Sequence, residues 1–322
     1  MKFDLTTLGE TMVRLSVRAG QNLMNSNQLD MHTGGTESNT AVALSHLGMK
    51  TAWVSRLTDN ALGKRMEFDI KRHGVDTSGI IWTRQDRVGA YYVEFATPPR
   101  PSAVIYDRKF SALSRLKPSE IDWKFLLNTR LLHLTGITPA LSPNCRQVVT
   151  EAKKRAMAKK IPVAFDVNYR AKLWKPEAAA KTLAPLLRES TIVVMTSDDA
   201  LTVFKLKGEP EHVVRKIRMM FHCKIAVLTL GGKGGLVWDG KMVLQEQGYP
   251  LTEVVDRLGA GDAFTAGIIY GYLNHDLSLG LKYGIAMSAM KIGMRGDYFW
   301  AGKAEVDQVL LSRATETSTI RR

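Results

Sequence analysis

The sequence predicts an α/β fold: a central, mostly parallel sheet with helices on both faces, plus a small separate β-sheet that serves as a lid. Short apolar segments alternate with amphipathic helical patterns through most of the 322 residues, which is typical of a parallel sheet covered on both faces. Residues 10–33 and 78–110 instead carry strand-like alternation without covering helices. A glycine-rich turn at 256–262 leads from an apolar segment into a helical pattern, and open sheets of this kind collect ligands at such turns.

Strand and helix patterns follow one another along the chain. Strands are expected at 51–54, 131–134, 161–165 and 192–195, before helices near 61–73, 143–159, 175–188 and 198–219 respectively. A strand at 225–229 enters a β-hairpin, and the last third is helical near 262–274, 278–294 and 303–312. We predict a single domain over 1–322 that ends in a polar, disordered tail at 312–322.

The lid is predicted from strands drawn from about 10–33 and 78–110. Strands without partner helices cannot all extend a helix-covered sheet, so we place them in a small sheet at its edge. One apolar face, expected to include Tyr92, Val93 and Val104, would remain exposed, and a second copy would cover it. The sequence therefore predicts a homodimer, or a higher homo-oligomer, formed through the lid.

Charge, apolar runs and cysteine content argue against a nucleic-acid-binding protein, a membrane protein and a cysteine-bound metal site. The net charge is +14, but the positive residues are scattered, and the densest cluster, 153–155 with 159–160, lies on one helical pattern. We interpret it as a solvated helix face and expect no nucleic-acid partner. No apolar run reaches the ~18 residues of a membrane span, and no signal peptide is recognisable. Cys145 and Cys223 lack metal-ligand spacing. We expect a cytoplasmic protein without a membrane partner.

The segment 256–262 reads Asp-Arg-Leu-Gly-Ala-Gly-Asp and opens a helix. Glycine lets backbone N–H groups approach an anion, and the positive end of the helix dipole points at the same spot. Asp262 fits there as a base that accepts a proton from a hydroxyl while the amides hold the transferred group. An ordinary glycine-rich turn is the alternative. A dinucleotide fingerprint fits less well, because Phe264 stands at its third glycine.

A second glycine signal, Gly-Gly-Thr-Glu-Ser-Asn at 34–39, runs into a helix. Alone it suggests a hairpin exit and a helix cap. Together with 256–262 it resembles the paired signatures of ribokinase-like sugar kinases, the phosphofructokinase B family, and the resemblance extends from residue 8 to about residue 309. Within that family the stretches at 106–109, 132–142, 165–174 and 295–297 are similar to the 2-keto-3-deoxygluconate kinases.

The resemblance implies an ATP- and Mg²⁺-dependent kinase that phosphorylates the 6-hydroxyl of 2-keto-3-deoxygluconate to give 2-keto-3-deoxy-6-phosphogluconate. A related kinase acting on a neutral sugar such as fructose or ribose is the near alternative. A catalytically inactive sugar-binding protein and a basic nucleic-acid-binding protein are alternatives from other classes. The pattern does not separate gluconate-derived from galactonate-derived acids, which differ in the configuration of one hydroxyl.

Roles for individual residues follow from the same resemblance. Asp262 would be the base, with an anion hole made by Gly259, Ala260 and Gly261. The implied substrate contacts are Gly35, Asn39, Tyr91, Tyr106, Arg108, Ile137, Arg170 and Asp297. The implied nucleotide contacts are Thr196, Thr229, Gly231, Gly234, Gly259 and Gly261, and Asp199 would hold the metal. An arginine suits a substrate carboxylate because its planar guanidinium binds both oxygens.

Several of these residues also have plain structural explanations. Tyr91 on a strand would fit packing, Asn39 and Asp297 would fit helix caps, and the glycines at 231–235 would fit a tight hairpin. His133 is interpreted as a core histidine, and Met287, Met290 and Met294, at helical spacing, as core packing.

The sequence departs from the family at three places. Arg257 stands where Thr is common, which leaves a monovalent-cation site beside the nucleotide undecided. Asp199 replaces a Glu, and residues 298–300 replace a turn of small residues.

Overall fold

The computed structural model describes residues 1–18, 20–95 and 100–315, with side chains to residue 313. The strands, in chain order, are β1 (Phe3–Leu8), β2 (Met12–Ser16), β3 (Asp30–Gly34), β4 (Thr51–Val54), β5 (Arg56–Thr58), β6 (Ile81–Thr83), β7 (Ala90–Glu94), β8 (Ala103–Asp107), β9 (Thr129–Thr135), β10 (Val163–Asp166), β11 (Ile192–Thr196), β12 (Ile225–Thr229), β13 (Gly235–Trp238) and β14 (Val243–Glu246). The α-helices are α1 (Thr36–His46), α2 (Ala61–Lys71), α3 (Trp123–Leu126), α4 (Ile137–Leu141), α5 (Pro143–Ala158), α6 (Pro176–Leu187), α7 (Ser197–Phe204), α8 (Pro210–Phe221), α9 (Ala260–Leu273), α10 (Leu277–Ile292) and α11 (Lys303–Thr315).

The central sheet has eight strands in the order β14-β13-β12-β11-β10-β9-β1-β4. The six strands from β12 to β4 are parallel, and the hairpin of β13 and β14 adds two antiparallel strands at one edge. The predicted fold class is confirmed. Successive residues of one strand serve opposite faces, as where Leu132 joins the core under α5 to α8 while Leu131 joins the core under α1, α9 and α10. Strands buried on both faces explain the near-continuous apolar runs.

The small separate sheet is also confirmed, with the order β3-β2-β7-β8. One part of the lid prediction is wrong, because β6 lies within 78–110 but pairs with β5 in a sheet of two strands. A second correction concerns the exposed face. Val93 is buried and Val104 packs beside it toward the inside of the molecule. The row on the opposite face of the four strands is Met31, Leu15, Tyr92 and Ile105. Met31 and Ile105 are exposed, whereas Leu15 packs in part against the core around Val13.

Helices α9 and α10 pack closely through glycines. A Cβ on Gly267 would lie 2.2 Å from the backbone nitrogen of Gly284, and a Cβ on Gly271 would lie 2.2 Å from the Cα of Gly280. The two helices therefore touch backbone to backbone, antiparallel. Since α9 begins at the glycine-rich turn, this contact fixes the helix that carries Asp262.

Further expectations concern the C-terminal tail, the basic cluster, the buried side chains and membrane-spanning helices. The tail was expected to begin at residue 312, but α11 continues to Thr315, and 316–322 lie outside the described residues. The cluster at 153–155 is not wholly solvated, since Lys153 is buried and donates to the Pro185 carbonyl at 3.1 Å. Both cysteines, His133 and Met287 are buried, as predicted. Within the described ranges, no helix combines the length and apolarity needed to cross a bilayer.

Candidate active site

The candidate site lies where the parallel strands end. Strands β9, β10, β11 and β12 end at Thr135, Asp166, Thr196 and Thr229, and their registers bring these ends to one edge of the sheet. The first turns of α1 and α9 and the inner face of the lid meet at the same edge, around one cavity. This is the region where open α/β sheets bind ligands.

Asp262 lies in the first turn of α9 and is buried. The amide nitrogen of Asn39 donates to its carboxylate over 2.7 Å, while the amide oxygen of Asn39 accepts from the backbone nitrogen of Gly35 at 3.2 Å. Burial raises the pKa of Asp262 to about 6, against the lowering effect of the Asn39 hydrogen bond and of Arg170. Asn39 does not cap α1, because the N-cap is Gly35. Instead, Asn39 orients the predicted base.

The turn before α9 requires glycine at its first position. Gly259 has a φ of 87°, in the left-handed region, and a Cβ there would lie 2.0 Å from the carbonyl oxygen of Asp297. A Cβ on Gly261 would meet open space. Because the first N–H groups of a helix have no partner within it, the turn presents backbone amide groups and a positive helix end beside Asp262. The Ala260 N–H also donates to the Arg257 carbonyl at 3.3 Å. This geometry suits an anion.

All of the predicted substrate residues line the same cavity. They are Gly35, Asn39, Tyr91, Tyr106, Arg108, Ile137, Arg170 and Asp297, together with Gly259 and Asp262. The structure adds Glu10 and Glu37, which the sequence analysis did not assign.

The two cavity arginines differ in their pairing. The guanidinium of Arg108 is already paired with Glu10, which accepts from its Nε at 2.8 Å. Arg170 donates from Nη1 to the Tyr169 carbonyl at 3.1 Å. In the part of the chain that the structure describes, Arg170 forms no ion pair. Arg170 is thus the cavity cation with charge left for a ligand.

Asp297 belongs to a buried hydrogen-bonded network that includes Arg14, a residue to which the sequence analysis gave no role. Its carboxylate accepts from the Tyr91 hydroxyl at 2.7 Å and from Nη1 of Arg14 at 2.6 Å. Nη2 of Arg14 binds Asp256 at 2.5 Å. Helix-capping by Asp297 is ruled out, because α10 ends at Ile292. The sequence signal that could have identified Arg14 is the presence of a charged residue at an inward-facing position of lid strand β2.

Two buried acids next to Asp262 were also missed. Asp166 ends β10, and burial followed by the charges of Asp262 and Asp199 raises its pKa to about 7. Glu37 accepts from the hydroxyls of Thr135 and Thr138 at 2.7 and 2.8 Å, and burial raises its pKa to about 7. Asp166 lies in the segment 165–174 and Glu37 in the segment 34–39, but a sequence does not reveal which acids are desolvated.

The predicted nucleotide residues lie along the neighbouring strand ends. Thr196 pairs in register with Thr229, and the Thr196 hydroxyl accepts from the backbone nitrogen of Asp199 at 2.9 Å. Gly231 and Gly234 belong to the turn between β12 and β13. Gly234 has a φ of 103°, and a Cβ there would lie 2.0 Å from the Glu246 carbonyl. Hairpin geometry alone therefore requires Gly234, and its nucleotide role stays a prediction.

Comparison with known proteins decides the family. Residues 2–301 match the model of the pfkB family carbohydrate kinases. The chain belongs to the pfkB family of carbohydrate kinases.

Named relatives cover nearly the whole kinase. It is 34% identical over 311 residues to the 2-dehydro-3-deoxygalactonokinase of Haloferax volcanii, covering 96% of this chain and 97% of the relative. It is 30% identical over 302 residues to the 2-dehydro-3-deoxygluconokinase of Thermoproteus tenax, covering 91% of this chain and 90% of that relative. The crystal structure of a 2-dehydro-3-deoxygluconokinase from Thermotoga maritima superposes with a TM-score of 0.91 at 29% identity, covering 96% of this chain and 98% of that one.

The residues of this kinase fit a magnesium ion bound together with phosphates. Mg²⁺ prefers oxygen ligands and is usually held by one or two carboxylates plus substrate phosphates. Asp166 ends β10, and Asp199 lies in the first turn of α7, which follows the adjacent strand β11. Both acids are buried, and burial raises the pKa of each. No group of three or more His, Cys, Asp or Glu side chains among the described residues is placed to hold a metal alone.

Proposed function

We propose that this kinase transfers the γ-phosphoryl group of ATP to the 6-hydroxyl of 2-keto-3-deoxygluconate, giving 2-keto-3-deoxy-6-phosphogluconate and ADP. The observation that carries the proposal is the unpaired guanidinium of Arg170 in the same cavity as the buried carboxylate of Asp262. The names of the two relatives, both kinases of 2-dehydro-3-deoxy acids, support it, since 2-dehydro and 2-keto describe the same group.

A substrate carboxylate is the expected partner of Arg170. A guanidinium binds a carboxylate through two parallel hydrogen bonds. A neutral sugar would leave the half-buried guanidinium of Arg170 without an ion-pair partner in a cavity that ligand and lid shield from water, which disfavours a neutral sugar relative to an acid. Arg108, already neutralised by Glu10, fits hydroxyl or keto oxygens better. The cavity thus favours an acid over a neutral sugar.

With the carboxylate at Arg170, the other end of the substrate lies near Asp262. The Asp262 carboxylate accepts the proton of the 6-hydroxyl, and that oxygen forms a bond to the γ-phosphorus as the bond from phosphorus to the bridging oxygen of ADP breaks. The N–H groups of Gly259, Ala260 and Gly261 offset the charge that develops on the transferring group. Asn39 keeps Asp262 oriented. Asp297, whose carboxylate accepts from Arg14, would bind the distal hydroxyls.

Nucleotide and metal contacts belong to the same proposal. ATP would lie along Thr196, Thr229 and the turn at Gly231–Lys233, next to the start of α9. A Cβ built on Gly235 would lie 3.4 Å from the ring of Phe264 in α9. Strand β13, which follows this turn, therefore packs next to α9, and this contact supports the placement. Asp166 and Asp199 would hold Mg²⁺, which supplies positive charge to the phosphate oxygens when bound.

The test is a substrate panel with the full-length kinase. ADP release is measured with 2-keto-3-deoxygluconate, its galactonate-derived epimer, fructose and ribose, and ³¹P NMR locates the phosphate on the product. We expect kcat/KM for the acids to exceed that for the neutral sugars by at least ~10², because a neutral sugar leaves the half-buried guanidinium of Arg170 without a carboxylate partner. Equal values would overturn the acid assignment. The galactonate-derived epimer is the second candidate, favoured by the 34% identity to the Haloferax volcanii relative.

The outer face of the lid supports a proposal about assembly. Met31, Leu15, Tyr92 and Ile105 are in register across the four strands, and Ile105 is 54% exposed. An exposed apolar row on a small sheet is stabilised by burial. We propose a two-fold homodimer in which two such rows face each other.

A further inference from the structure

Lys291 is a charged side chain at the centre of the molecule that the proposed reaction does not use. It lies in the last turn of α10 and is 0% exposed. Its ammonium group donates to the carbonyl oxygens of Asp256 and Met294 at 3.2 and 3.0 Å. Both acceptors are backbone carbonyls, and among the described residues Lys291 forms no ion pair within 4.0 Å. Backbone carbonyl oxygens around a buried positive charge are also the ligands that proteins offer to K⁺.

The two carbonyls belong to the two loops that form the candidate site. Asp256 begins the turn that leads to Gly259 and Asp262, and Met294 begins the segment that carries Asp297. The loops are joined by further bonds, from the Gly296 nitrogen to the Asp256 carboxylate at 3.1 Å and from the Asp256 nitrogen to the Ile292 carbonyl at 2.9 Å. The ammonium group therefore lies at the junction of the predicted anion hole and a predicted substrate contact.

Charge balance indicates why a cation belongs there. The carboxylates of Asp256 and Asp297 are both buried, and Arg14, itself 1% exposed, contacts both. One guanidinium leaves the pair of acids with a net negative charge in a region of low dielectric, where uncompensated charge is costly. The ammonium group of Lys291 is the buried charge that completes the neutralisation. The attraction of Asp256 and Asp297 also opposes the lowering of the Lys291 pKa by burial.

We propose that the ammonium group of Lys291 is a built-in monovalent cation that holds the anion-hole turn against the Asp297 segment, so that the kinase needs no dissolved K⁺ for turnover. Lys291 is thus a positioning residue and touches no reacting atom. The proposal rests on the proposed phosphoryl transfer and extends it to the cation requirement, which the sequence, with Arg257 near this position, leaves undecided.

The test removes the ammonium group and supplies a dissolved one. Lys291→Met keeps an unbranched stem of matching length to Cε and vacates only the position of Nζ. Wild type, Lys291→Met and the control Lys282→Met, at an exposed position of the same helix, are compared in 0.1 M choline, potassium or ammonium chloride. Turnover with the best substrate and the melting temperature are both measured.

Wild type and Lys282→Met are expected to respond equally to the three salts. Lys291→Met is expected to lose at least ~10-fold in turnover in choline, since small displacements of positioned groups are costly. Ammonium or K⁺, by binding the vacated position in the folded state, should return most of the turnover and raise the melting temperature. If K⁺ or ammonium raises the melting temperature of Lys291→Met, this supports the built-in cation even when no sugar acid is phosphorylated. The melting temperature therefore distinguishes failure of this proposal from failure of the proposed function.

Two outcomes would overturn the proposal. Activation of the wild type by K⁺ of several-fold would show that the chain uses a dissolved cation despite Lys291. A defect in Lys291→Met that is the same in all three salts, including aggregation in each of them, would show that the side chain contributes packing and not a replaceable charge.

Discussion

Asp262 and Arg170 are the residues on which the proposed chemistry depends, and they line the same cavity although they lie far apart in the chain. Asp262 lies 223 positions along the chain from Asn39, its hydrogen-bond partner. Arg170 follows a strand end and faces the same cavity. Single substitutions at these positions therefore test the mechanism directly.

Replacing Asp262 by Asn removes the base and keeps the shape. We expect turnover to fall by at least ~10², the usual lower size of a general-base contribution, while nucleotide and substrate still bind. The measurement is steady-state kinetics with binding checked by calorimetry. Asp276→Asn is the matched control, because Asp276 is the exposed N-cap of α10 and Asn caps helices equally well. Near-normal turnover in Asp262→Asn would remove this residue from the mechanism.

The activity should follow the ionisation of Asp262. Only the carboxylate accepts a proton, and burial raises the pKa of this group to about 6. We expect kcat/KM to fall about tenfold per pH unit below the pKa and to level off above it. Because the charge of Arg170 lowers the pKa of Asp262, the profile of Arg170→Ala should move to higher pH. A wild-type profile that stays flat from pH 5 to 8 would contradict this assignment.

Removing the guanidinium of Arg170 should affect one substrate selectively. We expect Arg170→Ala to raise the KM for 2-keto-3-deoxy acids at least ~10-fold, since a charge-assisted pair contributes more than ~1.4 kcal/mol in a cavity, and to change the KM for ATP far less. Initial-rate kinetics with each substrate varied in turn gives both values. Arg146→Ala, at an exposed position outside the cavity, is the control. Equal effects on both substrates would end the carboxylate assignment.

At the scale of secondary-structure elements, the position of Asp262 depends on how closely α9 and α10 pack. Their shared face consists of backbone at Gly267, Gly271, Gly280 and Gly284. A packed interior does not accept an added methyl group without displacement. The position of the helix that carries Asp262 therefore depends on glycines, which allow the two helix backbones to come into contact.

Gly267→Ala should separate the two helices. The added Cβ would lie 2.2 Å from the Gly284 nitrogen, so we expect a loss of about 1–3 kcal/mol in the free energy of unfolding, with lower turnover because Asp262 moves with α9. Urea denaturation measures the first effect. Gly293→Ala is the control, since its Cβ would meet no atom closer than 3.5 Å and its φ is −82°. Equal stability of the two variants would show that the glycine contact is not restrictive.

At the scale of the whole molecule, the lid both closes the cavity and exposes an apolar row. Its inner face contributes Tyr91 and Tyr106 to the cavity, while its outer face carries Tyr92 and Ile105. A lid fixed by a partner would exclude water from the γ-phosphoryl group and limit hydrolysis of ATP without an acceptor. Assembly and chemistry are therefore coupled in the proposed function.

Light scattering at micromolar concentration should give the mass of a dimer. Ile105→Asp, which places a charge on the exposed edge strand β8 of the proposed interface, should give a monomer. Phe68→Asp is the control, because Phe68 is 63% exposed on α2, outside the lid. A fully active wild-type monomer would show that the lid needs no partner.

Local patterns in the sequence determined the elements and the motifs. Apolar runs buried on both faces identified the parallel strands, and the glycine-rich turn identified the start of α9, because periodicity and glycine reflect short-range constraints. The expected cavity residues, including Asn39, Arg170 and Asp297, also lie together. Their chemical roles stay predictions.

Only the tertiary structure decided what depends on distant neighbours. Pairing of β6 with β5 and the inward direction of Val93 follow from register, which a strand pattern does not specify. The sequence likewise does not show that Arg14 joins Asp256 to Asp297, 242 and 283 positions away, or that Lys291 is fully buried between two loops. Burial and charge pairing arise from contacts between residues far apart in the chain. For that reason the sequence alone predicts which side chains supply the chemistry of this kinase. The tertiary structure decides which of these side chains are buried and which carry a charge without an ion-pair partner.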